Sequence, residues 1–333
     1  MDSRTMSPGA VLEIGHAPFL ARCRPDVARF VAVGARSPAH EATLVVEGPA
    51  APLRLPALAR MLDDPALRLV ACRIHQRPGI AWRTVATLLR RACRVPIVLL
   101  DFEDEDVLHP AHRRLAVRAQ RIFKRELPVD RWRLARGTVS RASDDARLRR
   151  DPDARAIVAA LRPLPLGLPF GATPPSSTTK AADVFFAGEI ASRAGARAAA
   201  AAELRALAAE GIAIDMPDER LPREEFHRRL ARSRLAWSPA GLGWHCFRHA
   251  EAAAAGSVPL MPRPTVETAA GFVHGETALF YDTRPGGLAS AVREALADPP
   301  RLARIAAAAR AHALANLTPE AVAARVLAES LGG

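Results

Sequence analysis

One segment of the chain combines the features needed to hold a phosphate group. Between Ser238 and Leu260 a strand pattern ends in a glycine-containing loop, the loop leads into a helical pattern, and that pattern stops at Gly256 before the next strand. This order places the N-terminus of the helix at the carboxyl edge of a parallel sheet, where unpaired N–H groups and the helix dipole favour anions. The segment therefore predicts a phosphate-binding helix.

Two charged side chains of this predicted helix suit a nucleoside diphosphate. Arg248 lies in the first turn and adds a cation, and Glu251, about one turn later, can accept hydrogen bonds from ribose hydroxyls. A salt bridge between these two side chains would also explain Arg248, and a solvated helix face would explain Glu251. Trp244 can stack on a base, although packing is the stronger expectation, and His249 is expected to be a hydrogen-bonded structural histidine.

The run from Phe247 to Pro259 resembles the F-x-x-x-E-A-x-A-x-G-x-x-P stretch of the GT-B glycosyltransferases, including their exostosin-like, group 1 members. The resemblance implies that Glu251 binds the ribose of a nucleotide-sugar donor and that Gly243, Trp244 and Arg248 belong to the same donor site. Many retaining members carry a glutamate where this chain has Gly243. The resemblance therefore leaves the stereochemical outcome, retaining or inverting, open.

A second stretch, from Asp183 to Arg193, resembles the opening strand and loop of the C-terminal lobe in the same family. This resemblance places Gly188 where the backbone approaches the ligand and Arg193 near the diphosphate. An ordinary cation on a helix face is the alternative interpretation of Arg193. The resemblance covers the chain from Asp183 onward, and the first half matches mainly by its alternating pattern.

Candidate catalytic residues follow two strand patterns of the first half. Asp101 opens an acidic tract directly after the strand pattern of residues 95–100, and His75 comes soon after the pattern of residues 67–71. Carboxyl ends of parallel strands meet at one sheet edge, so either side chain can serve as a general base for an acceptor hydroxyl. The alternatives are a solvated loop or a partner for the adjacent basic helix in the case of Asp101, and a core or loop histidine in the case of His75.

The alternation of strands and helices indicates an α/β fold throughout. A chain of 333 residues is long enough for two cores, and the composition shifts to Pro, Gly, Ser and Thr around residues 161–182. We predict an acceptor-side lobe over residues 1–165, a linker over 166–182 and a nucleotide-sugar-binding lobe over 183–333. With the resemblance, this becomes the GT-B arrangement of two Rossmann-like lobes facing across a cleft. Residues 80–93 and 110–126 are predicted helices of the first lobe.

The formal charge of +12 is concentrated in one segment. Residues Arg113 through Arg150 hold many arginines, and clustered arginine is attracted to anionic lipid head groups or to a phosphorylated acceptor. Composition bias on a solvated helix face is the plainer alternative. Charge alone would also allow nucleic-acid binding, but no RRM, KH or zinc-finger pattern accompanies it, so nucleic acid is not expected.

Four cysteines without C-x-x-C pairs or metal-ligand spacing predict neither a zinc site nor a disulfide framework. The N-terminus lacks the apolar core of a secretory signal, and no apolar run is long enough for a spanning helix. We expect a cytoplasmic protein, peripheral at the inner face of a membrane. The resemblance implies neutralisation of the diphosphate by helix dipoles and cations, so neither a metal nor another cofactor is expected.

These observations predict a glycosyltransferase that moves a sugar from a nucleotide-sugar donor to a hydroxyl of a glycan, lipid-linked or protein acceptor. A nucleotide-sugar epimerase or hydrolase on the same fold would keep the donor site without an acceptor. A non-catalytic protein that binds membranes or nucleic acid through the basic segment is the third possibility.

Overall fold

The computed structural model describes residues 11–15, 19–33, 44–46, 55–74, 82–139, 145–172, 174–190 and 195–332. The chain forms two compact units. The first contains the described residues up to Leu164, Val266–Ala269 and the described residues from Pro319 onward, and the second contains Pro165–Thr265 and Ala270–Thr318. The predicted division differs from these units at Pro165 and the described residues of 166–182, which belong to the second unit. It also differs at Val266–Ala269 and at the described residues from Pro319 onward, which belong to the first.

The first unit is built on a seven-stranded parallel sheet of order β3-β2-β1-β4-β5-β6-β7. Its central strands are buried on both faces and rich in Val, Ile and Leu, as expected for a parallel sheet covered by helices. The strands are β1 (Val11–Gly15), β2 (Ala28–Val33), β3 (Leu44–Val46), β4 (Leu69–Ile74), β5 (Ile97–Asp101), β6 (Arg121–Lys124) and β7 (Leu161–Pro163).

The second unit is built on a five-stranded parallel sheet of order β12-β11-β10-β8-β9. Strand β8 pairs with β9 on one side and with β10 on the other, so the order of the chain reverses between β8 and β10. Such a reversal opens a crevice at the carboxyl ends of the two strands. The strands are β8 (Ala182–Phe185), β9 (Ile214–Asp215), β10 (Ser233–Trp237), β11 (Val258–Pro262) and β12 (Leu279–Tyr281).

Helices connect the strands and cover both sheets. Two short 3₁₀ helices, Pro110–His112 and Ala208–Glu210, adjoin α-helices. The α-helices are α1 (Leu20–Cys23), α2 (Leu55–Leu62), α3 (Trp82–Ala92), α4 (Arg113–Ala116), α5 (Arg131–Val139), α6 (Asp145–Arg150), α7 (Pro152–Ala160), α8 (Gly195–Leu207), α9 (Arg223–Ala231), α10 (Phe247–Ala254), α11 (Gly287–Leu296), α12 (Pro299–Asn316) and α13 (Pro319–Leu331).

The predicted helix over residues 110–126 is wrong in its second half. Helix ends at Ala116, and residues 121–124 form strand β6 between β5 and β7. Ile122 and Phe123 are buried in this strand, and Lys124 is buried beside Asp101 of β5. The sequence pattern of this strand predicts a helix because four residues are too few to show the alternation of apolar and polar positions that marks a strand.

Candidate functional site

The loops that follow β8 and β10 bring Gly188 and Arg248 together. Arg248 Nη2 donates a hydrogen bond to the Ala187 carbonyl at 2.9 Å, and the guanidinium carbon lies 4.8 Å from the centre of the Phe186 ring. A Cβ atom at Gly188 would be 2.7 Å from Nη2 of Arg248. A side chain at position 188 would therefore displace the end of the arginine from its observed position.

The N-terminus of α10 lies beside this arginine. Cys246 is the N-cap residue, and its side chain makes no capping hydrogen bond. Arg248 is in the first turn, and its Nε atom is buried without a hydrogen-bond partner among the described residues. Unpaired N–H groups at a helix start and a fixed guanidinium both favour a bound anion.

Glu251, one turn further along α10, is held by a histidine of the preceding helix. Its Oε1 atom lies 3.0 Å from Nε2 of His227, which belongs to α9, and both residues are buried. Glu251 therefore pairs with His227, while the Arg248 guanidinium contacts the end of β8. His227 was not predicted from the sequence because its partner is 24 positions away and no local motif connects them.

A cavity of about 490 Å³ opens at the carboxyl ends of β10, β11 and β12. Its volume is in the range of sites for small organic ligands. Gly241 and Trp244, which belong to the loop before α10, line this cavity. Arg248 and Glu251 of α10 do not line it. The lining residues are Arg197, Ala200, Trp237, Pro239, Ala240, Gly241, Trp244, Pro262, Arg263, Thr265, Tyr281, Asp282 and Thr283.

Arg197 belongs to α8 and lines this cavity. Its guanidinium donates to the Glu189 carbonyl at 2.8 Å and to the Ala240 carbonyl at 2.5 Å, so it joins the loops after β8 and β10. Arg193, the residue predicted to approach the diphosphate, lies outside the described residues. Arg197 lies four positions later in the sequence, and its contacts with the loops after β8 and β10 are not visible in any local motif.

The remaining predicted donor-site residues belong to the loop between β10 and α10. Trp244 is buried, its Nε1 donates to the Pro262 carbonyl at 3.2 Å, and its ring packs on His249 at 4.8 Å between centroids. His249 bonds to the Ser238 hydroxyl at 2.7 Å and to the Trp244 carbonyl at 3.0 Å. Gly243 accepts from the Gly241 amide. Trp244 is thus packed against His249, and both nitrogens of the His249 ring have hydrogen-bond partners.

Asp101 lies in a buried ion pair of the first unit. Its Oδ2 atom is 3.1 Å from Nζ of Lys124, and the lysine side chain is fully buried. Oδ1 accepts from the Glu103 amide at 3.0 Å. Burial raises the pKa of Asp101, and the adjacent Lys124 opposes this shift. These contacts favour a structural role over the predicted role as general base, and His75 lies outside the described residues.

Comparisons with known proteins identify the fold. The family model described as glycosyl transferase-like matches residues 189–328. A glycosyltransferase from Rickettsia africae has a TM-score of 0.59 at 9% identity, with 97% of this chain and 98% of that chain covered. Anabaena HepE in complex with UDP has a TM-score of 0.57 at 14% identity, covering 97% and 99%. This chain has the GT-B glycosyltransferase fold.

A further GT-B match is the sucrose-phosphate synthase of Thermosynechococcus elongatus, with a TM-score of 0.57, 12% identity, and 95% and 97% of the two chains covered. No curated protein sequence matches the chain.

In the described part of this GT-B chain, no group of three or more His, Cys, Asp or Glu is placed to hold a metal ion. None of the described helices is both long and apolar enough to cross a membrane.

Proposed function

We propose that this protein is a glycosyltransferase that binds a nucleotide-sugar in its second unit and transfers the sugar to an acceptor hydroxyl. We propose that this sugar is a hexose. One observation carries the proposal. The uncapped N-terminus of α10, the Arg248 guanidinium and the backbone at Gly188 meet at the carboxyl edge of the sheet, at the reversal between β8 and β10. A parallel sheet of this topology binds phosphorylated ligands at that position.

Arg248, Glu251 and the start of α10 have distinct tasks in the proposed reaction. Arg248 and the start of α10 stabilise the negative charge that develops on the diphosphate as its bond to the sugar breaks. Glu251, held by His227 at 3.0 Å, accepts hydrogen bonds from the ribose hydroxyls. The acceptor oxygen bonds to the sugar carbon as the bond from that carbon to the diphosphate oxygen breaks, and the acceptor proton passes to the leaving diphosphate or to water. These protein groups neutralise the leaving diphosphate, and the proposal assigns no task to a metal or another cofactor.

Uridine is the first base to test. The Anabaena GT-B structure was determined with UDP, with UDP and glucose, and with UDP-glucose. The cavity of about 490 Å³ next to Trp244 can take a part of the donor. On this basis we propose UDP-sugars as candidate donors.

The acceptor side of the proposal rests on the first unit. We propose that this unit binds a glycan, lipid-linked or protein acceptor of cell-envelope glycan biosynthesis. We also propose that the protein is cytoplasmic and contacts the inner face of a membrane through residues 113–150, whose described arginines include the exposed Arg114, Arg118 and Arg147. The four cysteines are free thiols, consistent with a reducing compartment.

Release of nucleoside diphosphate from a panel of nucleotide-sugars, with and without acceptor glycans, tests the function. Glu251→Ala is expected to abolish release, and Glu294→Ala, on the exposed face of α11, is the matched control in the same unit. Free sugar or an isomer formed without acceptor would point to a hydrolase or epimerase. Unchanged release by a correctly folded Glu251→Ala protein would contradict the donor site.

A further inference from the structure

A groove on the first unit is lined by four arginines. Arg90 belongs to α3, Arg113 and Arg114 belong to α4, and Arg118 lies in the turn before β6. The groove has a volume of about 550 Å³. Its remaining lining residues are Ala86, Thr87, Val117 and Asp153.

The four arginines of this arginine groove carry more positive charge than the carboxylate in its lining can neutralise. Asp153, the single carboxylate of the lining, lies 2.6 Å from Nη2 of Arg113. Arg90, Arg114 and Arg118 are exposed and have no ion-pair partner among the described residues. Three uncompensated guanidinium groups that share one concavity repel one another, and a bound anion would relieve this repulsion.

The chemistry of the lining indicates which anion. Guanidinium groups present several N–H donors in a planar fork that matches phosphate oxygens, and several forks around one concavity favour a group with more than one negative charge. The Thr87 hydroxyl, which donates to the Arg83 carbonyl at 2.9 Å, retains lone pairs but adds no charge. We propose that the arginine groove binds a phosphate-type group carrying at least two negative charges.

This site is separate from the proposed donor site. Its lining residues all belong to the first unit, whereas Arg248, Glu251 and the 490 Å³ cavity belong to the second. The proposal therefore does not depend on glycosyl transfer. The phosphate group can belong to a soluble phosphorylated compound or to a phosphomonoester lipid, and both sources share the same contacts.

Binding of inorganic pyrophosphate to the full chain, measured by calorimetry at low ionic strength, is the first test. Sedimentation with phosphatidylcholine vesicles containing phosphatidic acid is the second. Arg90→Gln with Arg118→Gln is expected to weaken at least one of these interactions by about tenfold, since each lost charge-assisted contact contributes about threefold or more. The control, Arg60→Gln with Arg68→Gln, removes the same charge from two exposed positions of the first unit that lie outside the groove and outside residues 113–150.

Asp153→Asn gives a test that misfolding cannot imitate. It removes the one carboxylate of the groove and releases Arg113, so binding is expected to tighten about threefold. Loss of pyrophosphate binding in the Arg90/Arg118 variant would support a soluble ligand, and loss of vesicle binding alone would support a lipid. Equal effects of the groove and control pairs on both probes, or no binding of either probe, would overturn the proposal.

Discussion

Asp101 and Lys124 form a pair of opposite charges in the interior of the first unit. The side chain of Asp101 is 3% exposed and that of Lys124 is fully buried. When one partner of such a pair is removed, the other is left as an uncompensated buried charge, which is strongly destabilising. The pair joins β5 to β6, which explains why a strand with charged ends is stable inside the sheet.

Asp101→Asn is therefore expected to lower the free energy of unfolding by about 3 kcal/mol. Thermal or urea unfolding measures this loss. Asp101→Leu combined with Lys124→Met removes both charges and is expected to recover much of it. A variant with unchanged stability but no turnover would contradict the structural role and would support Asp101 as the general base.

Gly188 allows the close approach of Arg248 to the end of β8. A methyl group there would lie 2.7 Å from Nη2 of the arginine, so Gly188→Ala is expected to displace the guanidinium. We expect the Kd for the nucleoside diphosphate to rise about tenfold, the effect of losing one charge-assisted hydrogen bond. Gly137→Ala in α5, where the added methyl would meet Val107 at 3.5 Å, is the control. An unchanged Kd for Gly188→Ala would show that Arg248 does not bind the diphosphate.

At the scale of elements, α9 and α10 hold the glutamate of the site through one hydrogen bond. His227 contacts Glu251 at 3.0 Å. The Ser257 hydroxyl, directly before β11, lies within hydrogen-bond distance of the Ser233 carbonyl of β10 and the Leu230 carbonyl of α9, at 2.6 Å and 2.5 Å, and donates to one of them. These contacts fix α10 against α9 and β10. His227 is therefore a positioning residue for Glu251.

His227→Ala is expected to raise KM for the donor about fivefold with a smaller change in kcat, because the free carboxylate loses its fixed orientation before ribose binds. His227→Gln retains a donor group and is expected to recover part of the affinity. Steady-state kinetics with the donor varied measures both. Equal loss in the two variants, with normal stability, would show that the contact does not orient Glu251.

The elements of the second unit were largely predictable from the sequence, and those of the first were less so. The segments from β8 to β12 follow the predicted alternation, because each strand is bounded by Gly, Pro or a helix start and the helices other than α9 are rich in alanine. In the first unit, β6 was hidden in a predicted helix, and β7 lies at the start of the stretch around residues 161–182 where the composition shifts to Pro, Gly, Ser and Thr. Strand β6 is stabilised by the contact of Lys124 with Asp101, and β7 by its pairing with β6. In both cases the partner lies at a distant position in the sequence.

The same limit applies to the site. Gly188, Arg248 and Glu251 were found because they belong to local motifs, and the structure brings the first two into contact. His227 and Arg197 were missed as partners because their roles depend on the pairing of α9 with α10 and of the loops after β8 and β10. Local motifs therefore predict the residues of the proposed site, and tertiary contacts determine how their side chains are held.

At the scale of the whole molecule, each unit has its own parallel sheet and its own core, and the chain returns to the first unit for α13. This return has no signal in the sequence, because the alanine-rich pattern of α13 continues that of α12. The residues assigned to the donor, Gly188, Arg248 and Glu251, all lie in the second unit. Binding of the donor is therefore expected to stabilise the chain without any acceptor present.

Thermal unfolding of the full chain with UDP, GDP, CDP, ADP and their sugar conjugates tests the central claim most directly. A cognate nucleotide at about 100 times its Kd is expected to stabilise the protein by about 2.7 kcal/mol, and this shift is expected to disappear in Glu251→Ala. Stabilisation by one base family, lost in that variant, is the predicted result. A cooperative transition that no member of the panel shifts would contradict the assignment of a nucleotide-sugar site.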